Sequence, residues 1–267
     1  MRALIDKYDY FFFDLWGVIY DGKKVDKTIK DIFKLIREKK KKIIIITNSS
    51  KTKSEVFNFL KKKNLNTGLI NHIFTSGDFA KNKLFNLKKN FFLIDGKSKK
   101  NINFLKKLKL KNSKNLDDAD LAMAISINKF SNRKKIFKNL KDCKKKGLKL
   151  ICINPDLRII NDNYGMGYYY NEYLKMGGKG EYYGKPNPKY YKYICSKLNI
   201  NLKKKILIIG DTIYNDIIGA NNFGIDSLLV KKSKLYKFRI KNFKMITFKS
   251  KKFLDPKYTI NDLKVFN

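Results

Sequence analysis

The chain has 267 residues, 43% of them hydrophobic, and a formal net charge of +38. That length and apolar content suit a packed core and exclude global disorder. No apolar run reaches the roughly 20 residues that a bilayer span needs, so no membrane partner is expected.

The first ten residues, interrupted by Asp6 and Asp9, do not read as a secretory leader, and a cytoplasmic location is the default expectation. Cys143, Cys152 and Cys195 are an odd, widely spaced set, which argues against a disulfide framework or a zinc site. His72 is the sole histidine, so chemistry built on a histidine base or a His-rich metal site is disfavoured. Lysine is spread along nearly the whole chain, alongside much Asn, Ile, Tyr and Phe, and it dominates over arginine. This pattern fits a compositional bias better than sequence-specific nucleic-acid readout, which favours arginine. Weak, salt-sensitive adhesion to polyanions is still expected.

In chain order, Tyr10–Phe13 is a short apolar strand running into Asp14, and Ile29, Ile32, Phe33 and Ile36 share one helical face. Ile43–Ile46 is a β-branched run of the kind found in buried parallel strands. Val56, Phe57 and Leu60 recur at helical spacing, and His72–Thr75 reads as a third strand. The middle of the chain has its own rhythm. Strands are expected at Phe91–Ile94, Leu121–Ile125 and Leu150–Ile153, with helices around 98–110 and 131–146. Tyr190, Tyr191 and Ile194 suit a helix. Ile206–Ile209 is a strand running into Gly210 and Asp211, a helix follows from about Tyr214 to Asn222, Ser227–Val230 is the next strand, and the tail resumes with Met245–Phe248 and an acidic-apolar finish, Thr259–Leu263. Alternating strands and helices predict an α/β fold: a Rossmann-like parallel sheet core with an inserted α/β cap domain. The core would be 1–89 plus 183–267 and the insert 90–182, with linkers near Lys88–Asn90 and the glycine-rich Gly177–Gly184.

Two of these strands end in aspartate. Sites in parallel α/β sheets form at the carboxyl ends of strands, so Asp14 and Asp211, with Asp216 five residues on, can share a hard cation. An oxygen-only set of this kind suits Mg²⁺. Helix capping is the plainer use of either aspartate taken alone. Thr47-Asn48-Ser49-Ser50 follows a strand and offers hydroxyls and backbone N–H groups to a phosphate, or caps a helix, and the two uses are compatible. Lys185, between Gly184 and Pro186, is a candidate point charge for the same anion.

Phe-Phe-Phe-Asp14-Leu-Trp-Gly-Val, Ile-Ile-Thr47-Asn, Gly184-Lys185-Pro and Ile-Gly-Asp211-Thr-Ile-Tyr-Asn-Asp216 resemble, in order, the four motifs of the haloacid dehalogenase superfamily. The long insert before the lysine resembles its subclass IIA phosphatases. Thr75-Ser-Gly-Asp78, Ile153-Asn-Pro-Asp156-Leu and Gly177-Gly178 resemble a bacterial branch with Asp-x-Trp-Gly in the first motif. The resemblance runs over nearly the full chain, to Asp255-Pro-Lys-Tyr-Thr-Ile.

It implies a Mg²⁺-dependent phosphatase that hydrolyses a small phosphomonoester through an aspartyl-phosphate on Asp14. Thr47 and Lys185 would hold phosphate oxygens, with Asn48 and Ser49 as further donors. Asp14, the backbone carbonyl of Trp16, Asp211 and Asp216 would hold the metal. The insert would close over the strand ends and present Asn154 or Asp156 to the substrate, although Asn-Pro-Asp serves equally as a plain turn.

In one respect the chain departs from the family pattern: Trp16 occupies the place of its acid–base aspartate, and indole cannot shuttle a proton. Slow hydrolysis, or hydrolysis confined to good leaving groups, is the expectation. Asp21 is a candidate substitute acid, with a turn role as the plainer reading. The alternative function is a catalytically weak phosphate-ester binder or regulator. A homo-oligomer stays open.

Overall fold

The computed structural model of the chain describes residues 2–95, 98–127, 131–159, 163–201, 203–232 and 254–263. A short helix α1 (Arg2–Lys7) leads into β1 (Tyr10–Asp14), α2 (Lys27–Glu38), β2 (Lys42–Thr47), α3 (Lys53–Lys62), β3 (His72–Thr75) and α4 (Ser76–Leu84). The middle stretch begins with β4 (Asn90–Leu93), α5 (Lys99–Lys107), β5 (Lys111–Ser113), β6 (Leu121–Ala124) and α6 (Arg133–Lys145). It continues through β7 (Lys149–Cys152), β8 (Arg158–Ile159), β9 (Asn163–Tyr164), α7 (Met166–Lys175) and β10 (Gly180–Tyr182). The chain then returns through α8 (Pro188–Lys197), β11 (Ile206–Gly210), α9 (Ile218–Phe223), β12 (Asp226–Val230) and β13 (Tyr258–Ile260).

Six strands form a parallel sheet in the order β13-β12-β11-β1-β2-β3. Its central strands are buried on both faces, as their unbroken Phe and Ile runs require. Side chains alternate between the faces. Phe12, Ile44, Ile46, Ile206 and Ile208 enter one apolar cluster, and Phe11, Phe13, Ile43, Ile45, Leu207 and Ile209 enter the other. Each such burial contributes about 1.5–3 kcal/mol, so register is set by these faces and the polar strand ends are carried along with it. On α2, Ile29, Ile32, Phe33 and Ile36 are all buried, and Asp26 caps the first turn by accepting the Thr28 N–H.

A second parallel sheet, in the order β10-β7-β6-β4-β5, is built wholly from residues between 90 and 182. Ile43–Ile46 and Leu150–Cys152 therefore lie in different sheets. The two sheets are not isolated from each other. One apolar cluster runs from Phe12 and Ile44 through Phe79 and Leu84 of α4 to Phe91, Phe104 and Met123.

Two parts of the sequence reading differ from the structure. The Gly177–Gly184 stretch, expected as a hinge, carries β10, which pairs with β7 from Gly180 to Tyr182. The second sheet has five strands where three were expected, because β5 and β10 are three-residue edge strands too short to show a period. The apolar stretch Met245–Phe248 lies outside the described residues. Among those described, no helix is long and apolar enough to cross a membrane.

Candidate active site

β1 and β11 are neighbours, with Phe13 opposite Ile209, so Asp14 and Asp211 emerge together at the carboxyl edge of the sheet. After Asp211 the chain enters a π-helical turn, Ile213–Ile217, before α9. Such wide turns recur at functional sites. Here the Asp216 carboxylate folds back so that Oδ2 accepts the Thr212 N–H at 3.0 Å and its hydroxyl at 2.8 Å. Asp14, Asp211 and Asp216, all buried, bring ligand oxygens within 4.8 Å of one another.

Lys185 reaches this cluster from the far side of the chain. Its Nζ donates to Asp14 Oδ1 and to Asp216 Oδ1, each at 2.6 Å, and the residue is 1% exposed. Burial alone would discharge the ammonium, but Asp14 and Asp216 hold it protonated, well above the usual lysine range. Burial also pushes the Asp14 carboxyl up to about 7, with Lys185 pulling the other way. With all three aspartates ionised, one ammonium leaves two negative charges in a buried cluster. Uncompensated buried charge costs several kcal/mol, so the cluster fits a divalent cation. Its oxygen-only donors match Mg²⁺.

The Leu15–Tyr20 loop completes the rim. Tyr20 N–H donates to Leu15 O and Gly17 N–H to Tyr20 O, and among the described residues no hydrogen bond ends on the Trp16 carbonyl. Gly17 has φ +92°, and a Cβ there would collide with the Asp211 carboxylate. Only glycine both adopts that conformation without strain and lets the loop lie against Asp211.

β2 delivers the phosphate-candidate loop. Thr47 is buried, and its Oγ1 accepts the Ser49 N–H at 3.3 Å. Ser49 Oγ accepts the Lys51 N–H at 3.2 Å. Asn48 instead ties the chain together. Its Oδ1 accepts the Lys185 N–H at 2.7 Å, and its Nδ2 donates to the Lys185 carbonyl at 3.0 Å and to Asp156 Oδ1 at 2.9 Å. Gly184, with φ +108°, abuts Asn48 and Ser76 so closely that a side chain would displace them. Ser76 in turn donates to the Tyr183 carbonyl at 2.7 Å.

The structure thus brings Asp14, Lys185, Asp211 and Asp216 into one cluster, with Thr47, Asn48 and Ser49 at its edge. It links Asp156 to that edge through Asn48. Asn154 is used otherwise: its Oδ1 accepts the Asp156 N–H at 3.0 Å and forms a tight turn. Asp21 also forms a turn, its Oδ1 accepting the N–H groups of Lys23 and Lys24 at 2.8 Å each, and these bonds hold its carboxyl below the usual range. The Trp16 indole stacks on Phe59 with ring centroids 5.6 Å apart and packs edge-on against Tyr20. It belongs to the apolar cluster under the loop.

Sequence reasoning did not find Thr212 and Asn215. Thr212 orients Asp216, and Asn215 Nδ2 donates to Asp156 Oδ1 at 2.7 Å. Their adjacency to the two aspartates was the available signal. Tyr190 and Tyr191 lie on the expected helix, α8, and they also support the site. Their hydroxyls donate to the carbonyls of Thr47 at 3.4 Å and Asn215 at 3.3 Å.

Comparison with known proteins agrees with this architecture. Residues 11–108 match a sequence model described as haloacid dehalogenase-like hydrolase, and residues 182–245 match one described as HAD-hydrolase-like. No curated protein sequence matches. Among solved structures, a haloacid dehalogenase-like family hydrolase from Brucella suis 1330 is 21% identical with a TM-score of 0.83, covering 99% of this chain and 98% of its own. The 4-nitrophenylphosphatase of Thermotoga maritima is 19% identical with a TM-score of 0.71, covering 97% and 96%. The p-nitrophenyl phosphatase of Archaeoglobus fulgidus is 20% identical with a TM-score of 0.71, covering 96% and 97%. These likenesses establish the fold, and the matched motif regions span more than half of the sequence. The chain belongs to the haloacid dehalogenase-like hydrolases.

Proposed function

We propose that the chain hydrolyses small phosphomonoesters with Mg²⁺, through an aspartyl-phosphate on Asp14. The observation that carries this reading is the buried cluster in which Asp14, Asp211 and Asp216 approach within 4.8 Å while Lys185 spans Asp14 and Asp216. The named phosphatases among the structural neighbours support it at the level of the fold.

In this reading Asp14 is the nucleophile, and Asp14, Asp211, Asp216 and the Trp16 carbonyl hold the cation. When bound, Mg²⁺ supplies charge neutralisation for the phosphate and the developing transition state. Lys185 places an ammonium where phosphate oxygens arrive, which pulls the Asp14 carboxyl down against the effect of burial and reduces its repulsion for the anion. Thr47 and Ser49 offer hydroxyls to the same oxygens. Asn48 fixes the Lys185 backbone through paired hydrogen bonds, so the lysine enters the site from a rigid position. Residues 90–182 act as a cap whose Asn154-Pro155-Asp156 turn reaches the site through Asn48 and Asn215. The second reading, a phosphate-ester binder with little turnover, rests on Trp16 standing where the family has an acid.

The test is phosphate release from a panel of small phosphomonoesters with Mg²⁺, with EDTA, and with Asp14→Asn. Turnover that needs Mg²⁺ and Asp14 supports the reading. Full activity in chelator, or in the variant, removes the site assignment.

A further inference from the structure

A phosphatase with Trp16 in place of its acid lacks a proton donor for the leaving group. On the phosphatase reading just given, we infer that Asp156, carried in from the turn after β7, is the general acid and base of the reaction.

The position is built for it. Asp156 Oδ1 accepts two amide hydrogen bonds, from Asn48 Nδ2 at 2.9 Å and from Asn215 Nδ2 at 2.7 Å. Asn48 is bonded to the Lys185 backbone on both sides, and Asn215 is the neighbour of Asp216. The carboxyl group therefore sits one side chain away from the lysine and one residue away from the acidic cluster. Two donors on Oδ1 make that oxygen the fixed acceptor and leave a proton to reside on Oδ2. Among the described residues, Oδ2 accepts no hydrogen bond. The backbone is fixed as well, because the Asp156 carbonyl accepts the Gly167 N–H of α7 at 3.0 Å.

Other groups fail as donors. The Trp16 indole is stacked on Phe59, and Asp21 is held in a turn by the N–H groups of Lys23 and Lys24. Asp78 accepts the Lys53 N–H and the Thr75 hydroxyl. His72 lies exposed at the opposite end of β3 from the site. Asp211 and Asp216 belong to the cation cluster, and Lys185 is engaged by Asp14 and Asp216. The groups that act electrostatically on or with Asp156 are Asp14, Lys185, Asp216, Tyr214 and Cys152. Burial, the largest influence, raises its carboxyl above the usual range, so a protonated fraction persists at higher pH than for an ordinary aspartate.

The steps balance. In the first, an Asp14 oxygen bonds to phosphorus and the ester P–O bond breaks. Its electron pair stays on the leaving oxygen, which takes the proton from Asp156 Oδ2. The products are the alcohol, phospho-Asp14 and an Asp156 carboxylate. In the second, water attacks phosphorus while giving a proton to Asp156. The P–O bond to Asp14 breaks, which regenerates the Asp14 carboxylate, releases inorganic phosphate and returns Asp156 to its acid form.

The test uses substituted phenyl phosphates, from 4-nitrophenyl to 4-methoxyphenyl, with Mg²⁺, on wild type and Asp156→Asn. These esters share a shape and differ in how much the leaving oxygen needs a proton. Wild type should show a shallow dependence on leaving group. Asp156→Asn should lose about 10²–10⁴-fold on the methoxyphenyl ester, the usual worth of a general acid, and much less on the nitrophenyl ester. Intact mass of Asp156→Asn quenched during turnover should show an added phosphoryl group, because the base for the second step is gone. A purely structural role for Asp156 gives an equal loss across the series and no phosphoenzyme, and either result overturns the assignment. So does a wild type that already depends steeply on the leaving group, although that leaves the phosphatase reading intact. A wild type inactive on every ester overturns both.

Discussion

The chain carries two parallel sheets, and their strand ends solve the same problem in opposite ways. At the end of β6, Ser126 Oγ donates to Asn101 Oδ1 at 2.7 Å and Asn101 Nδ2 donates back to the Ser126 carbonyl at 2.9 Å. That pair is buried, neutral and self-sufficient. At the ends of β1 and β11, three buried carboxylates meet one ammonium. The neutral pair needs nothing further. On the proposed function, the charged cluster is completed by a cation and an anion. Polar groups buried for the fold alone satisfy each other, whereas those in the first sheet leave chemistry unfinished.

The contrast can be broken most forcefully at Asp14. Asp14→Asn should cost about 10⁶-fold in turnover, the scale at which a nucleophile is lost, with the fold retained by circular dichroism. Residual activity within a hundredfold of wild type would remove Asp14 from the reaction.

Lys185→Met tests the charge balance itself. Removing one partner of a buried pair costs about 3–5 kcal/mol. Chemical denaturation in EDTA should show that loss, and Mg²⁺ should recover part of it. An unchanged midpoint would mean that the carboxylates share the charge without the lysine.

Gly17→Ala adds a methyl group against Asp211 on a backbone with φ +92°. Displacing that ligand should weaken Mg²⁺ about 10–100-fold, the usual effect of disturbing a ligand's support. A Mg²⁺ titration of the melting temperature measures it. In the second sheet, Ser126→Ala leaves Asn101 short of a partner and should cost about 1–3 kcal/mol, with no dependence on Mg²⁺.

The least conspicuous difference is a pH slope. Burial raises the Asp14 carboxyl from 3.8 to about 7. Between those limits the folded, metal-free chain holds a proton that the unfolded chain has released, so stability falls as pH rises through the window. The difference in melting temperature between wild type and Asp14→Asn isolates this group, and Mg²⁺ should flatten it. Ser126→Ala should leave the slope untouched. A wild-type advantage that grows with pH would reverse the sign and refute the account.

The sequence made the first sheet more legible than the second. Phe11–Phe13, Ile43–Ile46 and Ile206–Ile209 are unbroken apolar runs because both faces of their sheet are covered, and the aspartates that end two of them stand out against that background. β10 stayed hidden because three residues at a sheet edge, inside Gly177–Gly184, carry neither a period nor a hydrophobic run. The site's supports were harder still. Asn48 meets Lys185 across 137 positions and Asn215 meets Asp156 across 59, distances over which a single sequence holds no local signal. Trp16 was readable as a departure from a pattern. Its destination on Phe59 was not, since stacking partners follow from how the Leu15–Tyr20 loop and α3 meet.

The paired amides on Asp156 have a kinetic side. They join a turn of the second sheet to two loops of the first, so any parting of the two halves at this point must break both. Each such bond is worth only about 0.5–1.5 kcal/mol net. The clasp itself is therefore easily undone, and on the proposed function it adds only a low threshold of its own to an entering ester or a departing phosphate ion. Stiffening it, with a third donor on that carboxylate or a bulkier neighbour behind Asn215, would lengthen each visit and slow the traffic long before it touched the chemistry.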